Sequence, residues 1–223
     1  MIQYLGHSSF RIALGDTVCI INPVISDRIG GERRIVPSAL NLREIKKCDL
    51  ILLTSEAQDH CEPATVEEIV EKTYASVIAP KPALAKINIS EKFKVDVRVG
   101  DRFSIKGVDV SINKAVHPQA EYPVGYGIKG GKWRVYHAGG TYSFTNMASI
   151  KCDVALLPIG GTYTMDPFAA ANACKEIRPK YVVPMNYDTV PKIRQDVSEF
   201  TKDLPSCTKP LILKPGASAR LPD

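Results

Sequence analysis

The stretch that most constrains this chain is Leu50-Ile51-Leu52-Leu53-Thr54-Ser55-Glu56-Ala57-Gln58-Asp59-His60-Cys61-Glu62. Its first four residues are an unbroken apolar run, the pattern of a strand buried on both faces, and the polar remainder is dense in potential ligands. Immediately after it Pro63 suits a first helical turn, and Val66, Ile69 and Val70 recur at helical spacing, which predicts a helix over 63–72. A buried strand, a polar loop and a helix is the local order in which α/β proteins place chemistry, because the loop is held on a rigid scaffold.

The rest of the chain supplies more strands than helices. Ile2 and Tyr4, then Phe10, Ile12 and Leu14, alternate on either side of a Gly6-His7-Ser8-Ser9 break, and residues 17–21 return as a strand closed by Asn22-Pro23. Residues 24–47 form a long connection carrying Gly30-Gly31 and a basic cluster. Strands are expected at 76–80, 94–99, 103–112, 126–128, 133–137, 154–158, 181–184 and 211–213. Residues 126–128 and 133–137 form a hairpin across Gly130-Gly131. Helices are expected at 81–87, 167–177 and 192–204. Antiparallel strands followed by strand–helix alternation, with helices in both halves, predict an α/β fold of two mixed sheets packed face to face with helices on both outer faces. No linker or repeat divides it, so residues 1–223 are read as one domain.

Charge and cysteines narrow the function. Lys and Arg number 29 against 24 Asp and Glu, too mild an excess to predict nucleic-acid binding, for which the basic 28–47 loop is the one candidate. No apolar stretch approaches the roughly 18 residues of a membrane span, and the first residues lack a signal-peptide pattern. The six cysteines, at 19, 48, 61, 152, 174 and 207, contain no C-x-x-C pair. A cytoplasmic protein with reduced thiols is therefore expected. No nucleophile elbow, P-loop or dinucleotide fingerprint occurs, and Ser8 and Ser9 beside His7 lack a third triad member. The four histidines, His7, His60, His117 and His137, all lie at strand ends or in polar turns.

Several motifs in order resemble the metallo-β-lactamase superfamily, in particular its branch of small metal-dependent hydrolases. They are Gly6-His7-Ser8-Ser9-Phe10, Asn22-Pro23, Asp49–Thr54 leading to Asp59-His60, Ala115-Val116-His117, Tyr136-His137-Ala138-Gly139, Leu157–Met165 and Val183-Pro184-Met185-Asn186-Tyr187. The resemblance spans almost the whole chain and implies the αββα sandwich of that family. Its metal ligands are another matter. The family's central loop reads Thr-His-x-His-x-Asp-His, whereas here Ser55 and Ala57 stand in place of the two leading histidines. Gly140 replaces the bridging Asp, Asn186 the last His, and Asn22 the usual strand-end Asp.

By that layout Asp59, His60 and His117 remain of seven ligands, one for the first metal and two for the second. A catalytic zinc takes about three protein ligands and an open position. A dinuclear centre is not expected; at most one zinc or other divalent ion is, with Glu56, Cys61 or, best placed, Asp188 as a substitute ligand. Cys61 precedes a helix, where a thiolate would be stabilised. His7 and His137 are implied to be supporting or strand-linking residues. Two functions follow. One is a degenerate member that binds a small molecule or partner in a cleft lined by His7, Asp59, His60, His117, Tyr163, Asn186 and Tyr187. The other is a hydrolase of an ester, lactone or phosphodiester with one rebuilt metal site, in which Asp59 and His60 are the catalytic pair.

Overall fold

The computed structural model describes residues 1–221. In chain order, β1 (Ile2–Gly6), β2 (Ser9–Leu14) and β3 (Thr17–Ile21) form an antiparallel meander. A small hairpin of β4 (Arg28–Ile29) and β5 (Glu32–Arg33) follows within the long connection. Next come β6 (Leu50–Leu52), α1 (Pro63–Thr73), β7 (Ser76–Ala79), α2 (Lys81–Leu84) and β8 (Lys94–Asp96), whose strands add in parallel to β3. The second half comprises β9 (Arg102–Ile105), β10 (Val108–Lys114), β11 (Val124–Gly130), β12 (Trp133–His137), β13 (Val154–Pro158), α3 (Pro167–Ile177), β14 (Tyr181–Met185), α4 (Val197–Thr201), β15 (Lys209–Pro210) and β16 (Ser218–Ala219).

These strands make two mixed seven-stranded sheets, ordered β16-β1-β2-β3-β6-β7-β8 and β15-β14-β13-β12-β11-β10-β9. Alternation decides what lies between them. Phe10 and Ile12 from the first sheet and Val110, Ile128 and Val135 from the second share one buried cluster. The outer face of the first sheet (Ile20, Ile51, Leu53, Val77) is covered by Val66, Ile69 and Val70 of α1. On the second sheet α3 buries Ala170, Ala171, Cys174 and Ile177. The expected sandwich with helices on both outer faces is what the chain forms.

Local signals explain the helix limits. In α1, Pro63 opens the first turn, and Tyr74 (φ 56°) ends the helix in the left-handed conformation, its N–H donating to Val70 O. Asp166 caps α3 by accepting from Ala169 N at 2.7 Å.

Four expected elements are corrected. The helix predicted over 192–204 is broken: Arg194 is extended, and the Asp196 carboxylate caps a fresh helix beginning at Val197. The strand at 94–99 stops at Asp96, and the helix at 81–87 covers Lys81–Leu84. Residues 211–213 are not a strand: Leu211 N–H still bonds Val182 O, but the ladder to β14 is carried by Lys209 and Pro210. The chain then crosses to the first sheet, where β16 pairs with β1.

Candidate functional site

The central loop is fixed before any ligand is considered. Asn22, at left-handed φ 47°, donates from Nδ2 to Thr54 Oγ1 at 2.9 Å and accepts Thr54 N–H on Oδ1 at 2.9 Å. Tyr126 reaches from the second sheet, its hydroxyl 2.8 Å from Leu53 O and 3.0 Å from Ile78 O. Beyond Thr54 the loop turns about one carbonyl, Ala57 O, which accepts from both His60 N and Cys61 N at 2.8 Å. That turn directs Asp59 and His60 towards the seam between the sheets.

There the structure brings three imidazoles together. His7, with the left-handed φ of 57°, places its ring centroid 6.3 Å from that of His60, and His60 lies 6.0 Å from His117. His7 Nδ1 is 2.6 Å from Thr189 Oγ1, and its Nε2 is 3.2 Å from Asp59 Oδ2. His60 Nδ1 is 3.0 Å from Ser55 Oγ and 3.7 Å from Asp59 Oδ1, while its Nε2 is buried with no hydrogen-bond partner. His117 Nδ1 is tied to Tyr163 O at 3.1 Å. Burial pushes the Asp59 carboxyl up, but the imidazoles of His60 and His7 and the hydrogen bond from His7 outweigh it and hold the group below the usual carboxylate range. Burial also pushes His60 down to about 4 against the opposing pull of Asp59, so it is neutral at pH 7.

His137 belongs to a different system. It is fully buried, with Nε2 2.9 Å from Ser8 O and Nδ1 accepting Gly139 N–H at 3.1 Å, so its ring links β12 to the β1–β2 turn.

Donors are few at the positions where the family resemblance places the other metal ligands. A Cβ built on Gly140 would stand 2.7 Å from His60 Cε1 and 3.4 Å from His117 Cε1, so these imidazoles already occupy the space a side chain at 140 would need. Ala57 offers no side-chain donor, and the Ser55 hydroxyl is engaged with His60. One compact donor group does exist among the described residues: His7, Asp59 and His60 each present a ligand atom within 4.8 Å of the others. His7, expected as a supporting residue, thus joins Asp59 and His60, while His117 lies outside that group.

A cleft of about 460 Å3 opens over these residues. Glu56, Asp59, His117, Tyr163 and Asn186 line it, whereas His7 and His60 lie beneath. Its far wall was not legible in the sequence. Ile29 of the β4–β5 hairpin packs on Val190 and Ile193, bringing Glu32 into the lining with Lys192, to which it is paired at 2.5 Å. Lys86 enters from beyond α2 and donates to Glu56 O at 2.7 Å. Glu56 Oε1 accepts Glu121 N–H at 2.6 Å, but Oε2 is buried without a partner.

Three candidates are corrected. Asp188 (φ 53°) turns away, accepts Gln195 N–H at 2.9 Å and lines a separate groove of about 740 Å3, so it does not replace a lost ligand. Tyr187 lines that same groove beside Tyr4 rather than the cleft. Cys61 is buried among Val66 and Ile69 under α1, outside the His7, Asp59 and His60 donor group, and burial raises its thiol to about 11, so it is not a free thiolate.

No helix among the described residues is long and apolar enough to cross a membrane. The profile of the beta-lactamase superfamily domain matches residues 1–186. A UPF0173 metal-dependent hydrolase of Caldivirga maquilingensis is 35% identical over 232 residues, covering 99% of this chain and 98% of its own length. Another, of Sulfurisphaera tokodaii, is 32% identical and covers 99% of each. Among solved structures, Igni18, a metallo hydrolase from the hyperthermophilic archaeon Ignicoccus hospitalis, is similar with a TM-score of 0.82 and 30% identity, over 97% of this chain and 95% of its own.

Proposed function

This chain belongs to the β-lactamase superfamily and its UPF0173 metal-dependent hydrolases, and from that premise we propose that it is a member without a dinuclear centre, whose cleft binds a small molecule. The observation that carries this is the contact at Gly140, where His60 Cε1 stands 2.7 Å from the Cβ that a carboxylate residue at 140 would carry. The missing donors at Ser55, Ala57 and Asn186 agree with it.

The lining supports one chemistry for the ligand. Glu56 Oε2 is an acceptor without a donor, and Asp59 stays ionised with one oxygen held by His7. A buried carboxylate oxygen left bare is costly, by about 1–3 kcal/mol or more, so a ligand that donates to it recovers that penalty. The opposite wall, Ile29, Val190 and Ile193, is apolar. A small molecule with an amine, amide or hydroxyl donor at one end and an apolar body fits this division.

A second function rests on a separate observation, the group formed by His7, Asp59 and His60. Those three residues would hold one divalent ion, which when bound supplies Lewis-acid polarisation of an ester, lactone or phosphodiester oxygen. His117 and Asn186 would then face the substrate in the cleft.

Metal content by plasma mass spectrometry, after zinc loading and desalting, separates the two. Near-zero retention is the expected result. About one equivalent, lost in both His7→Ala and Asp59→Ala, would replace it with the mononuclear hydrolase. About two equivalents would overturn the ligand assignment.

A further inference from the structure

The outer face of β9–β12 carries a second recess, of about 490 Å3, that shares no lining residue with the cleft. Strand register builds it. Directly opposed residues run in one row from Arg102 to Ser111, Gly127 and Tyr136, and in the next from Ser104 to Asp109, Lys129 and Arg134. The intervening row of Phe103, Val110, Ile128 and Val135 faces the core, so the two rows share the outward side. Gly127 leaves the middle of the first row without a side chain, and Ser111 Oγ has moved to within 2.4 Å of where a Cβ would stand. The recess is therefore a feature of the sequence pattern: large side chains at either end of a row, a glycine at its centre.

Its charge is one-sided. Arg102, Lys129, Arg134 and Lys151 line it with a single acid, Asp109. Asp109 lies 3.7 Å from Lys129 and accepts from Ser104 Oγ, so it offsets one cation. The guanidinium groups of Arg102 and Arg134 make no ion pair and no hydrogen bond among the described residues. The inner wall holds an independent signal: Tyr136 is wholly buried, and its hydroxyl has no hydrogen-bond partner. Buried hydroxyls are rarely left so, and one beside a recess marks where a ligand atom or water belongs.

We propose that this recess is an anion site for a small phosphorylated molecule of nucleotide size. Two free guanidinium forks suit phosphate oxygens, which they can hold bidentately, and the Tyr136 hydroxyl donates to the same anion. A volume of about 490 Å3 accommodates a mononucleotide and lies within the usual range of small-molecule sites.

Titration calorimetry on the full chain, with AMP and inorganic phosphate as probes, tests this. Saturable one-to-one binding of AMP is expected, weakened about tenfold or more in Arg102→Ala/Arg134→Ala and by about three- to tenfold in Tyr136→Phe. Because the hydroxyl has no partner, Tyr136→Phe should also leave the thermal midpoint of the free protein unchanged or raised, which separates lost binding from lost folding. Absence of saturation, or undiminished AMP binding in the double arginine variant, would overturn the site. So would AMP displacement by a single-stranded oligonucleotide with steep salt dependence, since the surface would then track a nucleic-acid backbone.

Discussion

Two buried histidines, His137 and His60, mark two regions that the fold treats in opposite ways. The His137 ring is fully paired: one ring nitrogen faces Ser8 O, the other accepts Gly139 N–H, and nearby Asn22 and Thr54 satisfy each other. Around His60 the accounting fails, with Nε2 bare and Glu56 Oε2 bare in the adjoining wall. Both regions descend from one family pattern. The lesson is that the polar links joining the sheets are completed by the chain itself, whereas groups at the cleft keep unpaired atoms. An unsatisfied buried atom is therefore a better guide here than the mere presence of a histidine.

The largest expected effect tests the satisfied side. Burial lowers His137 from 6.5 to about 3, and the neutral ring is the form its two hydrogen bonds require. The unfolded chain thus binds a proton that the folded chain refuses. Stability is full above about pH 6.5 and falls as pH drops towards about 3, by roughly 4 kcal/mol from this residue. Urea unfolding across that window checks it, with His137→Gln expected to flatten the acid limb; a limb unchanged in that variant breaks the assignment. Intermediate in size is Gly140→Ala. Its Cβ would press on His60 Cε1 at 2.7 Å, and overpacking of this kind costs about 1–3 kcal/mol, read from the denaturation midpoint. A neutral result would mean that His60 swings aside freely and that the cleft is less filled than it looks. The smallest effect is Glu56→Gln. Its amide oxygen can still accept Glu121 N–H, so stability should stay within about 0.5 kcal/mol. A clear loss of stability would show that Oε2 matters to the fold and belongs with the satisfied side.

How much of this could be read from the sequence follows from which residues act locally. The strands around Asp49–Thr54 and 154–158 were legible because a long apolar run between turn residues has few other fates. The helices at 63–73 and 167–177 were legible from a proline start and helical spacing. The residues at 55, 57, 140 and 186 could be set against the family motif from spacing alone, without coordinates. What escaped notice depended on backbone direction. Asn186 and Asp188 both take left-handed φ, at 56° and 53°, so the chain swings between them, and Tyr187 and Asp188 face a different groove from Asn186. Likewise nothing local in residues 24–47 says that Ile29 will settle on Val190 and Ile193. The break at Arg194 hid inside a plausible helical pattern, although Asp196 three residues before Glu199 is a capping signal that could have revealed it.

The contact between His60 and Gly140 also bears on engineering. A carboxylate introduced at 140 would meet an imidazole first, so that step alone is penalised. It becomes acceptable only in company with histidines at 55, 57 and 186 that would give His60 and an ion a reason to rearrange. A route from this chain to a two-metal centre is thus epistatic: four changes whose benefit arrives together, the first of them uphill. Such a residue works as a ratchet, and a library that varies these positions one at a time should recover no two-metal enzyme, whereas one that varies all four at once has a path to it.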